Sequence, residues 1–104
     1  MMLYYKLVRD NIPQIIEKNG KHALIETLSD TDYEIYLERK LDEEVNEYHD
    51  SKDLEELADI LEILIALAKI KGRDFSDLVD LQRHKAEEKG AFSKKILLVA
   101  VTEK

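Results

Sequence analysis

Residues 54–71 read LEELADILEILIALAKIK, and this stretch decides the fold class. Positions 57 to 70 are mostly Leu, Ile and Ala, and Gly72 follows as a helix stop. An apolar arc this wide predicts a helix at the centre of the fold, more buried than its neighbours. Its most apolar part, Leu57 to Ile70, contains Asp59, Glu62 and Lys69 and is too short to cross a bilayer, so no membrane association is expected.

Two helices are predicted before this central one. A short helix begins at Asn11-Ile12-Pro13, where proline suits the first turn, and stops at Asn19-Gly20. A long helix begins at a capping box formed by Thr31 and Glu34 and runs to about Tyr48. Its apolar residues recur at intervals of three and four, which is typical of a helix with one buried face.

A fourth helix is predicted from about Phe75 to Lys89, ending at Gly90. The remaining segments are less regular. Met1–Asp10 is predicted to be extended or irregular, His22–Leu28 to be a short strand or a loop, and Phe92–Val101 to be a strand or a hydrophobic arm over another subunit. We therefore expect one all-α domain over residues 1–104, a four-helix bundle with possible short extended segments at its termini.

Composition excludes several classes of function. The 104 residues include 23 acidic and 16 basic side chains, giving a net charge of -7, and an acidic surface disfavours binding to a nucleic-acid polymer. The absence of cysteine excludes disulfides, a thiol nucleophile and sulfur-based zinc sites. With only 3 glycines, a glycine-rich phosphate loop is excluded. The first residues do not resemble a secretory signal, so a cytoplasmic location is expected.

Two pairs of carboxylates flank the polar break between the second and third predicted helices. Glu44 and Glu47 share one helix face, as do Glu56 and Asp59, because residues three apart are neighbours on a helix. In an antiparallel hairpin that turns just after Ser51, Glu47 lies opposite Glu56 and Glu44 lies opposite Asp59. Four carboxylates would then converge, and such oxygen ligands suit Mg²⁺ or Mn²⁺.

The apolar pattern supports a special role for two of these acids. Glu44 falls on the apolar stripe of its helix, and Glu56 lies on the same side as Ile60 and Ile63. A carboxylate in such a position is costly to bury without a partner. Asp59 lies on an arc expected to face water. The alternative interpretation of the whole pattern is a charged helical hairpin with solvated faces.

The segments KLDEEVNE at 40–47 and LEELADIL at 54–61 resemble the signature of the MazG-like superfamily of all-α nucleotide pyrophosphohydrolases, which includes phosphoribosyl-ATP pyrophosphohydrolase and dimeric dUTPases. The segments YKLVRDNIP at 5–13 and KAEEKGAF at 85–92 are similar to those of its small phosphoribosyl-ATP pyrophosphohydrolase-like members. The resemblance covers most of the chain. Ala91 departs from it, because a second glycine is expected there.

The resemblance implies that Glu44, Glu47, Glu56 and Asp59 hold Mg²⁺, with Mn²⁺ as the alternative ion. It also implies that a nucleoside triphosphate is hydrolysed to its monophosphate and pyrophosphate, and a house-cleaning role is expected for this activity. Bound metal would neutralise phosphate and lower the pKa of a bound water, and either Glu44 or Glu47 could orient or deprotonate that water.

Several cations and one aromatic residue are candidates for contact with the substrate. Lys6 and Arg9 could clamp phosphate or could be ordinary charged residues of the terminus. Lys40 could contact phosphate or pair with Glu44. Lys85 and Lys89 could contact phosphate or serve as cations favoured at a helix C-terminus, and Phe92 could stack on a base.

The third helix is apolar over so wide an arc that one small bundle would cover it poorly. We therefore expect a homo-oligomer, a dimer or a tetramer, with the second and third helices near the interface. A shared active site would let Lys6, Arg9 or the C-terminal arm act in another subunit. Two alternatives to catalysis are a helical protein that binds a nucleotide or partner without turnover, and a purely structural oligomerisation module.

Overall fold

The computed structural model describes all 104 residues and is all-α, as predicted. Its helices are α1 (Ile12–Lys18), α2 (Asp30–Ser51), α3 (Leu54–Ile70) and α4 (Phe75–Lys89). There are no strands, so the strand alternatives for His22–Leu28 and Phe92–Val101 are wrong, and both segments lack regular structure. None of the four helices combines the length and the apolar character needed to cross a membrane.

The boundaries of α2 differ from the prediction at both ends. Ser29, not Thr31, caps the helix, and its Oγ accepts a hydrogen bond from the Asp32 backbone N–H at 3.2 Å. The helix continues past Tyr48 to Ser51, because the polar residues predicted to break it form an exposed final turn instead. Lys52 then adopts a left-handed conformation with φ of 61°, and α3 starts two residues later.

The boundaries of α4 agree with the prediction. A capping box fixes its start: the Asp74 carboxylate accepts a hydrogen bond from the Asp77 backbone N–H at 3.0 Å, and the Asp77 carboxylate accepts one from the Asp74 N–H at 3.1 Å. The Asp77 N–H holds the pKa of Asp74 below its usual value. Gly90 ends the helix with φ of 85°, in the region that favours glycine.

Helix packing within one chain joins α2 to α3 and α3 to α4, so α3 is central as predicted. The seven-residue α1 packs along none of the other helices, and the expected four-helix bundle is therefore incomplete in a single chain. Only Leu37, Glu44, Ile63 and Ala68 are buried. In one chain a stripe on α3 is nevertheless exposed, in line with the expectation that a single small bundle covers this helix poorly: Leu54, Leu57, Leu61 and Leu64.

Candidate metal and phosphate site

The α2–α3 hairpin brings three of the four predicted carboxylates together. Glu44, Glu56 and Asp59 each place a carboxylate oxygen within 4.8 Å of the others. The two-residue connection between the helices brings these carboxylates together. It sets α3 beside α2, so that Glu44 lies at the level of the first turns of α3. Glu44 is buried with 6% exposure, as its position on the apolar stripe predicted. Glu56 and Asp59 are half-buried.

Glu47 belongs to a different group. Its carboxylate lies within 4.8 Å of Glu43 and Glu44, and it does not join the set that contains Glu56 and Asp59. Glu47 is exposed, and its negative charge still reaches Glu56, whose pKa it raises. The single convergence of four acids predicted from the sequence is therefore two groups of three, with Glu44 common to both.

Two carboxylate oxygens in this cluster are buried without a hydrogen-bond partner, Oε2 of Glu44 and Oε2 of Glu56. Burial raises the pKa of Glu44, and the neighbouring Glu47 raises it further. The pKa of Glu56 is also raised, by desolvation and then by the negative charges of Glu47 and Glu44. Buried oxygens on carboxylates that repel one another fit a hard divalent cation such as Mg²⁺ or Mn²⁺.

Two cations lie against the same cluster. Arg9 Nη2 donates to Asp59 Oδ1 at 2.7 Å, and Arg9 Nη1 lies 3.8 Å from Glu62 Oε1. Lys40 Nζ lies 3.3 Å from Glu44 Oε1, as one of the two interpretations of Lys40 predicted. Asp59 is only partly exposed, with 39% of its side chain accessible to water, because the segment that carries Arg9 crosses that arc of α3.

Acids and cations together line a cleft of about 300 Å³ between the N-terminal segment and the α2–α3 hairpin. Its polar lining consists of Lys6, Arg9, Lys40, Glu44, Asp59 and Glu62, and its apolar lining of Val8, Ile12 and Ile63. The cleft places carboxylates that could hold a cation close to cations that could hold phosphate.

Sequence analysis missed Glu43 and Glu62 as members of this site. Lys6 Nζ lies 3.6 Å from Glu43 Oε1, and Lys40 Nζ lies 3.5 Å from the same atom. Glu62 could have been found by extending the α3 pair by three residues, since Glu56, Asp59 and Glu62 repeat at that interval. Glu43 carries no such signal, because acidic residues are common on helix surfaces.

The predicted substrate contacts near the C-terminus lie away from the cleft. Lys85 and Lys89 are exposed on α4, and Phe92 is 97% exposed beyond its end. None of the three lines the cleft of its own chain. Their contact with substrate stays a prediction, and it would require the cleft of another subunit.

The raised pKa of Glu44 predicts a pH dependence of stability. Between the ordinary value of 4.5 and the raised pKa, the folded chain keeps a proton that the unfolded chain releases. The associated stabilisation is present below pH 4.5 and is lost as the pH rises through the raised pKa.

We therefore expect the variant Glu44→Gln to gain stability over the unmodified protein as the pH rises from about 4.5 to about 7.5. The measurement is urea denaturation of both proteins in EDTA across this range. Taking the difference between them removes the contribution of carboxylates that do not interact with Glu44, such as Asp74, and leaves the contribution of Glu44 together with that of the neighbouring Glu56. A difference in unfolding free energy that does not change with pH would contradict the prediction.

Part of the chain is similar to another protein. A protein of Mycolicibacterium smegmatis, named only as an uncharacterized protein, is 52% identical to this chain over 42 residues. The match covers 40% of this chain and 43% of that protein, so the chain spans less than half the length of this relative. No protein-family model matches the chain. No solved structure matches it either.

Proposed function

We propose that this protein is a Mg²⁺-dependent nucleotide pyrophosphohydrolase that cleaves a nucleoside triphosphate, or a related nucleotide, to its monophosphate and pyrophosphate. The observation that carries the proposal is the cleft of about 300 Å³, where converging carboxylates stand beside Lys6, Arg9 and Lys40. A cleft of this size lies at the lower end of the range for small-molecule sites. The resemblance to MazG-like enzymes over residues 40–61 supports the same activity.

Glu44, Glu56 and Asp59 are the residues proposed to hold the metal, with the exposed Glu47 beside Glu44 as a further ligand. The unpartnered Oε2 atoms of Glu44 and Glu56 support this assignment, because a cation would satisfy both. Mg²⁺ is the expected ion and Mn²⁺ is an alternative, since both accept oxygen ligands. When bound, the ion supplies charge neutralisation for phosphate and lowers the pKa of a coordinated water.

Residues of the chain itself are proposed to bind the phosphate groups and to orient the attacking water. Lys6, Arg9 and Lys40 face the cleft and are suited to binding phosphate oxygens, with the planar Arg9 guanidinium able to contact two of them. Glu47 is exposed and adjoins the buried Glu44, so it can orient a water molecule or take its proton while Glu44 remains a ligand. The protein has a net charge of -7, so these local cations and the metal are needed to offset its repulsion of an anionic substrate.

The active form is a homo-oligomer, a dimer or a tetramer. The accessible surface of one chain is 9786 Å², whereas a compact protein of this mass exposes about 6,000 Å². Its radius of gyration is 18.6 Å, against about 13 Å for a compact domain of this length. The exposed leucines of α3 provide a continuous apolar surface for another copy, on the side of the helix away from Glu56 and Asp59.

A nucleotide panel tests the activity. The purified protein is incubated with canonical and modified nucleoside triphosphates in Mg²⁺, in Mn²⁺ and in EDTA, and pyrophosphate and orthophosphate are measured separately. We expect metal-dependent release of pyrophosphate from at least one nucleotide. Release of orthophosphate alone would contradict cleavage at the α-phosphorus. Nucleotide-induced thermal stabilisation without turnover on any substrate would instead support the non-catalytic alternative.

A further inference from the structure

The Arg9 guanidinium lies where a cation bound by the cluster would compete with it. Its Nη2 holds Asp59 Oδ1 at 2.7 Å, and Asp59 is one of the three residues whose oxygens converge with those of Glu44 and Glu56. The carboxylate of Asp59 is therefore shared between an arginine and the proposed metal position. A guanidinium and a divalent ion repel each other over the few ångströms that separate two partners of one carboxylate.

Glu62 gives Arg9 a second partner on the same face of α3. Arg9 Nη1 lies 3.8 Å from Glu62 Oε1, and Glu62 follows Asp59 by three residues. The fork of the guanidinium already spans both carboxylates, so a small rotation moves its main contact from one to the other. Both partners are accessible to such a change, since the side chains of Arg9 and Glu62 are 54% and 56% exposed.

We infer that Arg9 is a displaceable counter-ion of the metal site, and that it transfers from Asp59 to Glu62 when a divalent ion binds. The inference rests on the proposed function for the identity of the cation. After the transfer, Arg9 still lines the cleft, and one edge of its guanidinium is free of Asp59 and available to a phosphate oxygen. In this scheme Arg9 couples metal binding to phosphate binding.

Metal affinity is the first test, because it does not depend on turnover. The free Mn²⁺ signal in electron paramagnetic resonance measures the dissociation constant of the intact protein and of Arg9→Gln. We expect Arg9→Gln to bind Mn²⁺ about fivefold more tightly, because the competing positive charge has been removed. The matched control is Arg83→Gln, which makes the same charge change at an exposed position on α4. Unchanged or weaker binding in Arg9→Gln, relative to this control, would overturn the inference.

The role of Glu62 is tested by a double-mutant cycle. Glu62→Gln should weaken Mn²⁺ binding in the unmodified protein, because Arg9 then has no second carboxylate to receive it. The same substitution should have a clearly smaller effect when Arg9 is already glutamine. Equal effects in both backgrounds would show that Glu62 acts only as a nearby negative charge, and this would overturn the transfer.

The unmodified protein offers a test that does not depend on any variant folding. In nuclear magnetic resonance, addition of Mg²⁺ should shift the Arg9 side-chain Nε–H signal and leave the Arg83 signal in place. An unmoved Arg9 signal in a protein that binds Mg²⁺ would overturn the inference and leave the proposed function intact. Absence of any Mg²⁺ or Mn²⁺ binding would overturn both.

Discussion

Replacement of Glu44 by glutamine is expected to abolish metal-dependent hydrolysis and, at the same time, to make the metal-free protein more stable. We expect a loss of activity of about a hundredfold or more, because even residues that only support metal ligands cost up to about that much when they are changed. Glu44 contributes to both groups of carboxylates, so no neighbour can replace it.

The gain in stability has a separate cause. Glu44 is 6% exposed, its Oε2 has no partner, and burial together with Glu47 raises its pKa. Glutamine has nearly the same shape but no charge, so it removes an unfavourable buried carboxylate. We expect the free energy of unfolding in EDTA at neutral pH to rise by about 1 kcal/mol. Lys40 keeps an acidic partner in this variant, because it also contacts Glu43.

The measurements are pyrophosphate release in Mg²⁺ and urea denaturation in EDTA. The matched control is Glu38→Gln, which makes the same change at an exposed position on α2 and should leave both quantities unchanged. Full activity in Glu44→Gln would remove the site assignment. Lower stability in EDTA would show that the contact with Lys40 outweighs the cost of burying this carboxylate.

Replacement of Leu61 by glutamate is expected to dissociate the proposed oligomer. Leu61 is 43% exposed in one chain, and it lies at the centre of the exposed stripe with Leu57 and Leu64 on either side. A carboxylate here would be buried without a partner at an interface of helices. We expect the association constant to fall by about thirtyfold or more, with loss of helical structure, because one chain buries so few of its residues.

Sedimentation velocity and circular dichroism over a range of protein concentrations measure this effect. The matched control is Gln82→Glu, which introduces the same charge at an exposed position on α4. An unchanged sedimentation coefficient for Leu61→Glu would show that the α3 stripe is not the interface. A stable monomer with full helical content would contradict the view that one chain needs a second to complete its core.

Local patterns in the sequence predicted the helices well, and features that depend on distant contacts were harder to predict. Helix α4 needed only a run of suitable residues and Gly90, and its bounds agree with the prediction. The end of α2 was wrong because polar residues from His49 to Ser51 are compatible with an exposed final turn as well as with a break. Sequence alone does not distinguish these outcomes, since solvent satisfies both.

In the candidate site, too, features set by local spacing were predicted, whereas features set by distant contacts were not. The convergence of Glu44, Glu56 and Asp59 followed from helix spacing and a short turn. The half-burial of Asp59 did not, because it depends on a contact with Arg9 fifty positions earlier in the chain. Periodicity within α3 identifies which residues share a face, but it does not reveal which other segment covers that face.

The two-residue connection at Lys52 and Asp53 has a consequence for protein engineering. Each residue of an α-helix advances about 100° around the axis, so the angular phase of α3 relative to α2 depends on the conformation of those two residues. Lys52 is in the left-handed region, and a two-residue connection has no further residues that could compensate for an insertion or a deletion. The hairpin can therefore be transplanted into another scaffold as a working unit only if this connection is transplanted with it.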